Sequence, residues 1–320
     1  MLSVFLELVR LVAVYCLVYY YRIIDMVFIW ITRSLRPAEH PGVVVEPILI
    51  PSRQGGRFIK AFRYMPVEEY GKGPLPVHLN WHASGYVLKR LGLDRYFCYQ
   101  LCHRLGCIVL DCDYSKGPET LFPRAYEDAE DAVRHVFAHP DHYDTSRVTL
   151  GGSSAGGSLA LSLAAAFGRE KIRGVISVYP VTEWGPFSEL SKHKKAVSKD
   201  VASGLILTKL MFWAFYNAHL ASVRDLKDPR VSCIYNDVSR LPDHILFACG
   251  DADVLFLDSQ RFFDKIQREG TEAQRVNTSL MILKNEAHEF NNQPMRKSTL
   301  EKRDAMYSAA VDKILSLIHI

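Results

Sequence analysis

Hydrophobic and polar positions divide the chain into two regimes. Beyond residue 42, short apolar runs alternate with longer stretches whose apolar positions recur every three or four residues. The short runs predict strands over 43–50, 58–65, 76–81, 107–112, 147–150, 174–179, 244–249 and 280–283. The longer stretches predict helices over 93–105, 126–138, 154–167, 259–269 and 300–317. Continuous apolar runs such as Cys107-Ile108-Val109-Leu110 leave no polar face for water, as expected of strands covered on both sides. Strand and helix in alternation then give an α/β architecture, a mostly parallel sheet with helices on both faces. The alternation breaks over about 185–235. A charged patch there (Lys192, His193, Lys194, Lys195) precedes a helical run, 205–220, carrying Met211, Phe212, Trp213, Phe215 and Tyr216. This segment is expected to be an insertion into the α/β body.

The first 36 residues follow a different pattern. From Leu2 to Tyr21 the only charges are Glu7 and Arg10, spaced to pair on one helix face. Arg22 and Asp25 interrupt the run, a second apolar stretch covers 26–32, and Arg33, Arg36 and Pro37 close it. Residues 2–21 are just long enough to cross a bilayer, and Tyr19, Tyr20, Tyr21 and Trp30 suit its interface. The alternative is an amphipathic helix lying on a membrane or on the protein's own surface. A secretory signal fits poorly, because no basic residue precedes the apolar run and no small-residue cleavage site follows. If the segment spans, the arginines at 22, 33 and 36 place residues 37–320 on the cytoplasmic side of an endoplasmic-reticulum or other internal membrane. If it does not, a cytoplasmic protein is expected.

Charge and cysteine usage remove several classes of function. The net charge of +4 comes from 39 basic and 35 acidic residues, well mixed, without the basic stripe a nucleic-acid partner requires. Seven cysteines is an odd number, and several sit in apolar runs, so reduced buried thiols are expected. Cys98, Cys102, Cys107 and Cys112 lack a C-x-x-C pair and straddle a predicted helix and strand, which argues against a metal site.

Candidate chemistry centres on Gly152-Ser153-Ser154-Ala155-Gly156, between a predicted strand and a predicted helix. In that setting Gly-x-Ser-x-Gly places the central serine at a sharp bend with its hydroxyl exposed, and only Ser154 has glycine at both required positions. A phosphate-binding loop is disfavoured, since no lysine follows the glycines. A serine hydroxyl needs a base and an orienting acid. His288 follows the strand 280–283, and Asp253 follows the strand 244–249, with Asp251 as its competitor. Both follow strand carboxyl ends, where an open α/β sheet gathers its site.

An acyl transfer also needs donors for an oxyanion. His82-Ala83-Ser84-Gly85-Tyr86, after the strand 76–81, resembles the His-Gly-Gly-Gly loop of the hormone-sensitive-lipase-like α/β-hydrolases, the group that includes the arylacetamide-deacetylase-like esterases. Further landmarks are Asp113-Tyr114-Ser115-Lys116-Gly117-Pro118-Glu119, Phe122-Pro123, Glu127-Asp128, Tyr179-Pro180, Leu241-Pro242, Asp253-Val254-Leu255 and His288-Glu289-Phe290, in order over roughly residues 76–290. The resemblance implies an α/β-hydrolase fold and a serine carboxylesterase or deacetylase acting on esters of an apolar small molecule or lipid. It implies Ser154, Asp253 and His288 as the catalytic set, the N–H groups of Ala83, Ser84 and Ala155 as oxyanion donors, His82 and Gly85 as loop support, and neither cofactor nor metal. The insertion and the N-terminal helix are expected to form a cap over the pocket. An acyltransferase, lactone-forming or dehydratase-like enzyme on the same site, and a non-catalytic ligand receptor, are the alternative readings. The chain departs from the usual pattern at Ala83 and Ser84, whose Cβ atoms could strain the loop, at Ser153, where aspartate is frequent, and at Glu289, where glycine is frequent.

Overall fold

The computed structural model describes residues 2–32, 42–69, 71–185, 195–292 and 296–318. Arg33, Arg36, the expected boundary at 36/37 and the patch residues Lys192, His193 and Lys194 lie outside them. The strands are β1 (Val43–Pro51), β2 (Phe58–Pro66), β3 (Leu75–Trp81), β4 (Ile108–Cys112), β5 (Tyr143–Ser153), β6 (Ile172–Val178), β7 (His244–Gly250) and β8 (Thr278–Leu283). They form one sheet in the order β1-β2-β4-β3-β5-β6-β7-β8. β2 is antiparallel to both its neighbours, and every pair from β4 to β8 is parallel. The fully buried run Ile108-Val109-Leu110 lies near the middle of the sheet, where both faces are covered.

Helices α2 (Arg95–Leu105) and α8 (Lys297–Ile318) cover one face, burying Phe97, Leu101, Tyr307 and Val311. On the other face α3 (Arg124–Ala138), α4 (Ala155–Phe167) and α6 (Phe256–Glu269) bury Val133, Leu159, Leu163, Phe262 and Ile266. Two helices of the α/β body and its insertion differ most from expectation. α5 begins at Lys209 and ends at Leu220, four residues later than the apolar pattern suggested, with the Thr208 hydroxyl accepting from the Met211 N–H at 3.2 Å. The short α7 (Glu272–Asn277) was not anticipated, although Thr271 and Gln274 form the reciprocal cap that marks a helix start.

The N-terminal segment is one continuous helix, α1 (Leu2–Thr32), not two apolar pieces. Its interrupting charges are what attach it. Val14 and Val18 are buried, Tyr21 meets Phe215 of α5 edge-on, and Arg22 donates to the carbonyls of Val87 (2.9 Å) and Gly117 (2.8 Å) and pairs with Glu119. One turn further, Asp25 accepts from Arg90. The spacing 14, 18, 22, 25 is a single stripe of an α-helix, so α1 lies along the body on that stripe.

Candidate active site

β5 ends in a bend that its neighbours leave no room to widen. Ser154 adopts φ 55° and ψ −118°, a positive-φ conformation rare for a residue with a side chain. Its N–H donates to the Val178 carbonyl at 2.8 Å, and α4 begins at the next residue. A Cβ on Gly152 would come within 2.5 Å of the Trp81 carbonyl oxygen, and one on Gly156 within 1.8 Å of it. Both glycines of the motif are therefore fixed by the close approach of β3, β5 and α4, and the serine between them is held where its hydroxyl faces the sheet edge.

The loops after β7 and β8 bring two partners to that hydroxyl. His288 Nε2 lies 3.0 Å from Ser154 Oγ, and His288 Nδ1 lies 2.7 Å from Asp253 Oδ2. The other oxygen of Asp253 accepts from the Leu255 N–H at 2.8 Å, which fixes the carboxylate's rotation. Asp251, the competing acid, is used elsewhere. Its carboxylate accepts from the Asn285 N–H, and its carbonyl accepts from the N–H groups of Val197 and Ser198, so it braces the loop that carries the histidine. All three of Ser154, Asp253 and His288 are buried. Burial by itself disfavours the imidazolium, but attraction and hydrogen bonding to Asp253 outweigh it, so the His288 pKa is raised above the ordinary 6.5.

The loop after β3 faces the bend. Ala83 and Ser84 both keep negative φ, and the left-handed conformations fall on Gly85 (φ 57°) and Tyr86 (φ 63°), so the Cβ atoms at 83 and 84 impose no backbone strain. Gly85 is required twice over, because a Cβ there would lie 2.4 Å from the Phe215 ring. Among the described residues no backbone carbonyl accepts the N–H of Ala83 or Ser84. The serine side chain contributes a brace that glycine could not supply: Ser84 Oγ accepts from the Tyr86 N–H (2.9 Å) and lies 2.6 Å from the Tyr114 hydroxyl, which donates to the His82 carbonyl. His82 stacks on Tyr114 and reaches Asp113, which also binds Lys116. Burial alone would raise the Asp113 pKa, but Lys116 and His82 hold it far below the usual carboxylate range. Tyr86 closes the set by donating to the carbonyl of Ala155 at 3.2 Å.

A serine, aspartate and histidine on the loops after β5, β7 and β8 of a parallel sheet, opposite a loop whose Ala83 and Ser84 N–H groups meet no backbone carbonyl among the described residues, point to one superfamily, and residues 78–292 match a family model described as alpha/beta hydrolase fold. The chain belongs to the alpha/beta hydrolases. Within them it falls in the hormone-sensitive-lipase-like group, as its landmarks implied. The hydrolase resembles a solved esterase of Pyrobaculum calidifontis with a TM-score of 0.74 and 26% identity, covering 93% of each chain. It is 28% identical over 222 residues to probable carboxylesterase 5 of Arabidopsis thaliana (62% of this chain, 66% of that protein). It is 26% identical over 215 residues to an ethyl acetate hydrolase of Pseudomonas putida (65% and 64%). The chain thus spans less than two thirds of the length of these curated relatives.

Several residues of this hydrolase's site were not read from its sequence. Gly204 and Leu205 run beside the histidine loop: the Leu205 N–H donates to the His288 carbonyl at 2.5 Å, and the Ala287 N–H donates to Ser203 at 2.8 Å. A Cβ on Gly204, whose φ is 106°, would meet the His288 carbonyl oxygen at 2.6 Å. Tyr179, a landmark of the sequence with no role attached to it there, packs its ring 4.6 Å from that of His288 and donates its hydroxyl to Asn291. A cavity of about 30 Å³ opens beside Ser154 and His288, lined mainly by Leu88, Val181, Trp184, Leu205, Leu207, Met211, Phe212, Phe215 and Leu255.

Proposed function

We propose that the protein is a serine carboxylesterase that removes short acyl groups from apolar alcohols. The observation that carries this reading is the hydrogen-bonded chain Ser154–His288–Asp253 beside the apolar cavity. Ser154 Oγ attacks the ester carbonyl as His288 Nε2 takes its proton, and Asp253 holds the tautomer and stabilises the imidazolium. The negative charge developing on the carbonyl oxygen is met by the N–H groups of Ala83, Ser84 and Ala155, each such donor contributing about 3 kcal/mol in comparable sites. His288 then protonates the departing alkoxide, and water, activated by the same histidine, releases the acid. The relatives named for carboxylic ester or ethyl acetate hydrolysis support the reaction class.

The cavity supports the acyl size. Its enclosed space is small, about 30 Å³, and its wall is mainly apolar, which favours a short acyl group over a long chain. Helix α5 narrows it through Met211, Phe212 and Phe215, and α1 packs on α5 from outside, Tyr21 against Phe215. Turnover of p-nitrophenyl acetate, butyrate and octanoate tests the reading: acetate is expected to be the best substrate, and Ser154→Ala to lower kcat by ~10⁴-fold or more. A Ser154→Ala protein as active as the wild type would show that the nucleophile lies elsewhere.

The N-terminal helix supports a membrane location of a particular kind. Its outward residues are large and apolar, with Val4 71%, Phe5 60%, Leu8 56%, Met26 64% and Trp30 65% exposed, and its inward stripe is occupied by the hydrolase body. A helix tied to that body from Val14 to Asp25 has too few residues left to cross a bilayer. The geometry favours α1 lying in the membrane surface with its outward face among the acyl chains.

A further inference from the structure

The docked helix reaches the loop of the catalytic histidine through three buried charges. Arg90, 5% exposed, donates from Nε to both carboxylate oxygens of Asp25 at 2.9 Å and pairs on its other side with Glu289, the residue after His288. Asp25 and Glu289 are 8% and 4% exposed, and Glu289 holds φ 58°, where side chains are rarely found. One cation between two carboxylates out of water is a poor way to gain stability, since apolar residues of similar volume would serve as well or better. What such an arrangement does supply is a fixed position for each of its members. Glu289 also lines the cavity beside Ser154 and His288, so the charge of the triplet acts at the reacting groups.

We propose that Asp25, Arg90 and Glu289 form a positioning relay through which docking of helix α1 sets the geometry and basicity of His288. The relay rests on the esterase reading only in taking His288 as the base. His288 is faced by Asp253 and Ser154 from the neighbouring loops, by the Tyr179 ring, by Glu289 on its own loop and by Arg90, with Asp25 behind Arg90 and Asp94 acting on Glu289. Glu289 favours the imidazolium and Arg90 opposes it. Neutralising Asp25 leaves Arg90 less compensated, and neutralising Glu289 removes an attractive charge. Both changes lower the His288 pKa, so both extend activity to lower pH while weakening the loop's position.

The test is the rate at which a fluorophosphonate labels Ser154 in the full chain, followed across pH in wild type, Asp25→Asn, Glu289→Gln and the double variant. Asn and Gln retain acceptors for Arg90. Each single variant is expected to react about tenfold more slowly at its plateau, with its acid limb at lower pH. The double variant is expected to be no slower than the worse single, as members of one unit are not additive. Wild-type rates with an unmoved limb in Asp25→Asn, or losses that multiply in the double, overturn the relay. Should a neutralised variant fail to fold, Glu289→Gly takes φ 58° freely and leaves Arg90 paired with Asp25; it too is expected to move the limb downward, and an unmoved limb overturns the proposal. If wild type is not labelled, the esterase reading fails on its own, and the His288 ring titration by NMR in wild type and Glu289→Gly decides the relay.

Discussion

Ser154 occupies a backbone conformation that costs its fold free energy. A residue with a Cβ at φ 55° and ψ −118° is disfavoured by about 1–3 kcal/mol, and only the surrounding packing maintains it. Ser154→Gly is therefore expected to be more stable than Ser154→Ala by about 1 kcal/mol in equilibrium denaturation, with both inactive. Equal stabilities would mean that the bend is unstrained. The bend that holds Ser154, the proposed nucleophile, was legible in the sequence because its requirements are local: two glycines at fixed spacing, a strand before, a helix after. His288 and Asp253 were legible through their order after later strands. Glu289 showed only as a departure from the usual glycine, and its link through Arg90 to Asp25 did not show at all, since charges separated by 199 and 65 residues meet only when the chain has folded.

At the scale of elements, the insertion does two separate jobs. Its extended part, Ser203 to Leu205, is hydrogen-bonded to the histidine loop and belongs mechanically to the site. Its helix, α5, supplies the cavity wall through Met211, Phe212 and Phe215. This division explains why the apolar pattern overestimated the helix: Leu205 and Leu207 face the cavity from extended backbone, and apolar spacing alone does not distinguish that from a first helical turn. Shortening the wall should alter selectivity while leaving the clamp intact. Phe212→Ala is expected to raise the octanoate-to-acetate ratio of kcat/KM by about tenfold. An unchanged ratio would place the acyl group on another side of Ser154. The parallel sheet and its flanking helices were legible nearly throughout, their boundaries moving by a few residues where caps or bends decide the end.

For the whole molecule, the proposed membrane-surface placement of α1 is tested by depth and by topology together. Its Glu7 and Arg10 pair with each other at 3.0 Å, and Arg22 and Asp25 are taken up by the body, so the outward face carries no unpaired charge from Leu11 to Ile31. The full chain is expected to float with neutral phosphatidylcholine vesicles, and Leu8→Glu with Val12→Glu to reduce the floated fraction about tenfold. A tag at the amino terminus should remain open to protease added outside the vesicles. Protection of that tag would indicate a span, and failure to float would assign the apolar face to a partner other than lipid.

The ion triplet also bears on how the protein can be handled. Trimming the apolar amino terminus is the ordinary remedy for poor solubility, and here it would remove more than a handle. The shortened chain would lose Asp25 along with the Val14 and Val18 footprint, leave Arg90 to a single carboxylate, and expose the side of α5 that Tyr21 covers. On the proposed relay, rates measured on such a chain describe a different acid–base balance at His288, and preparations that keep helix α1 are the ones to compare with it.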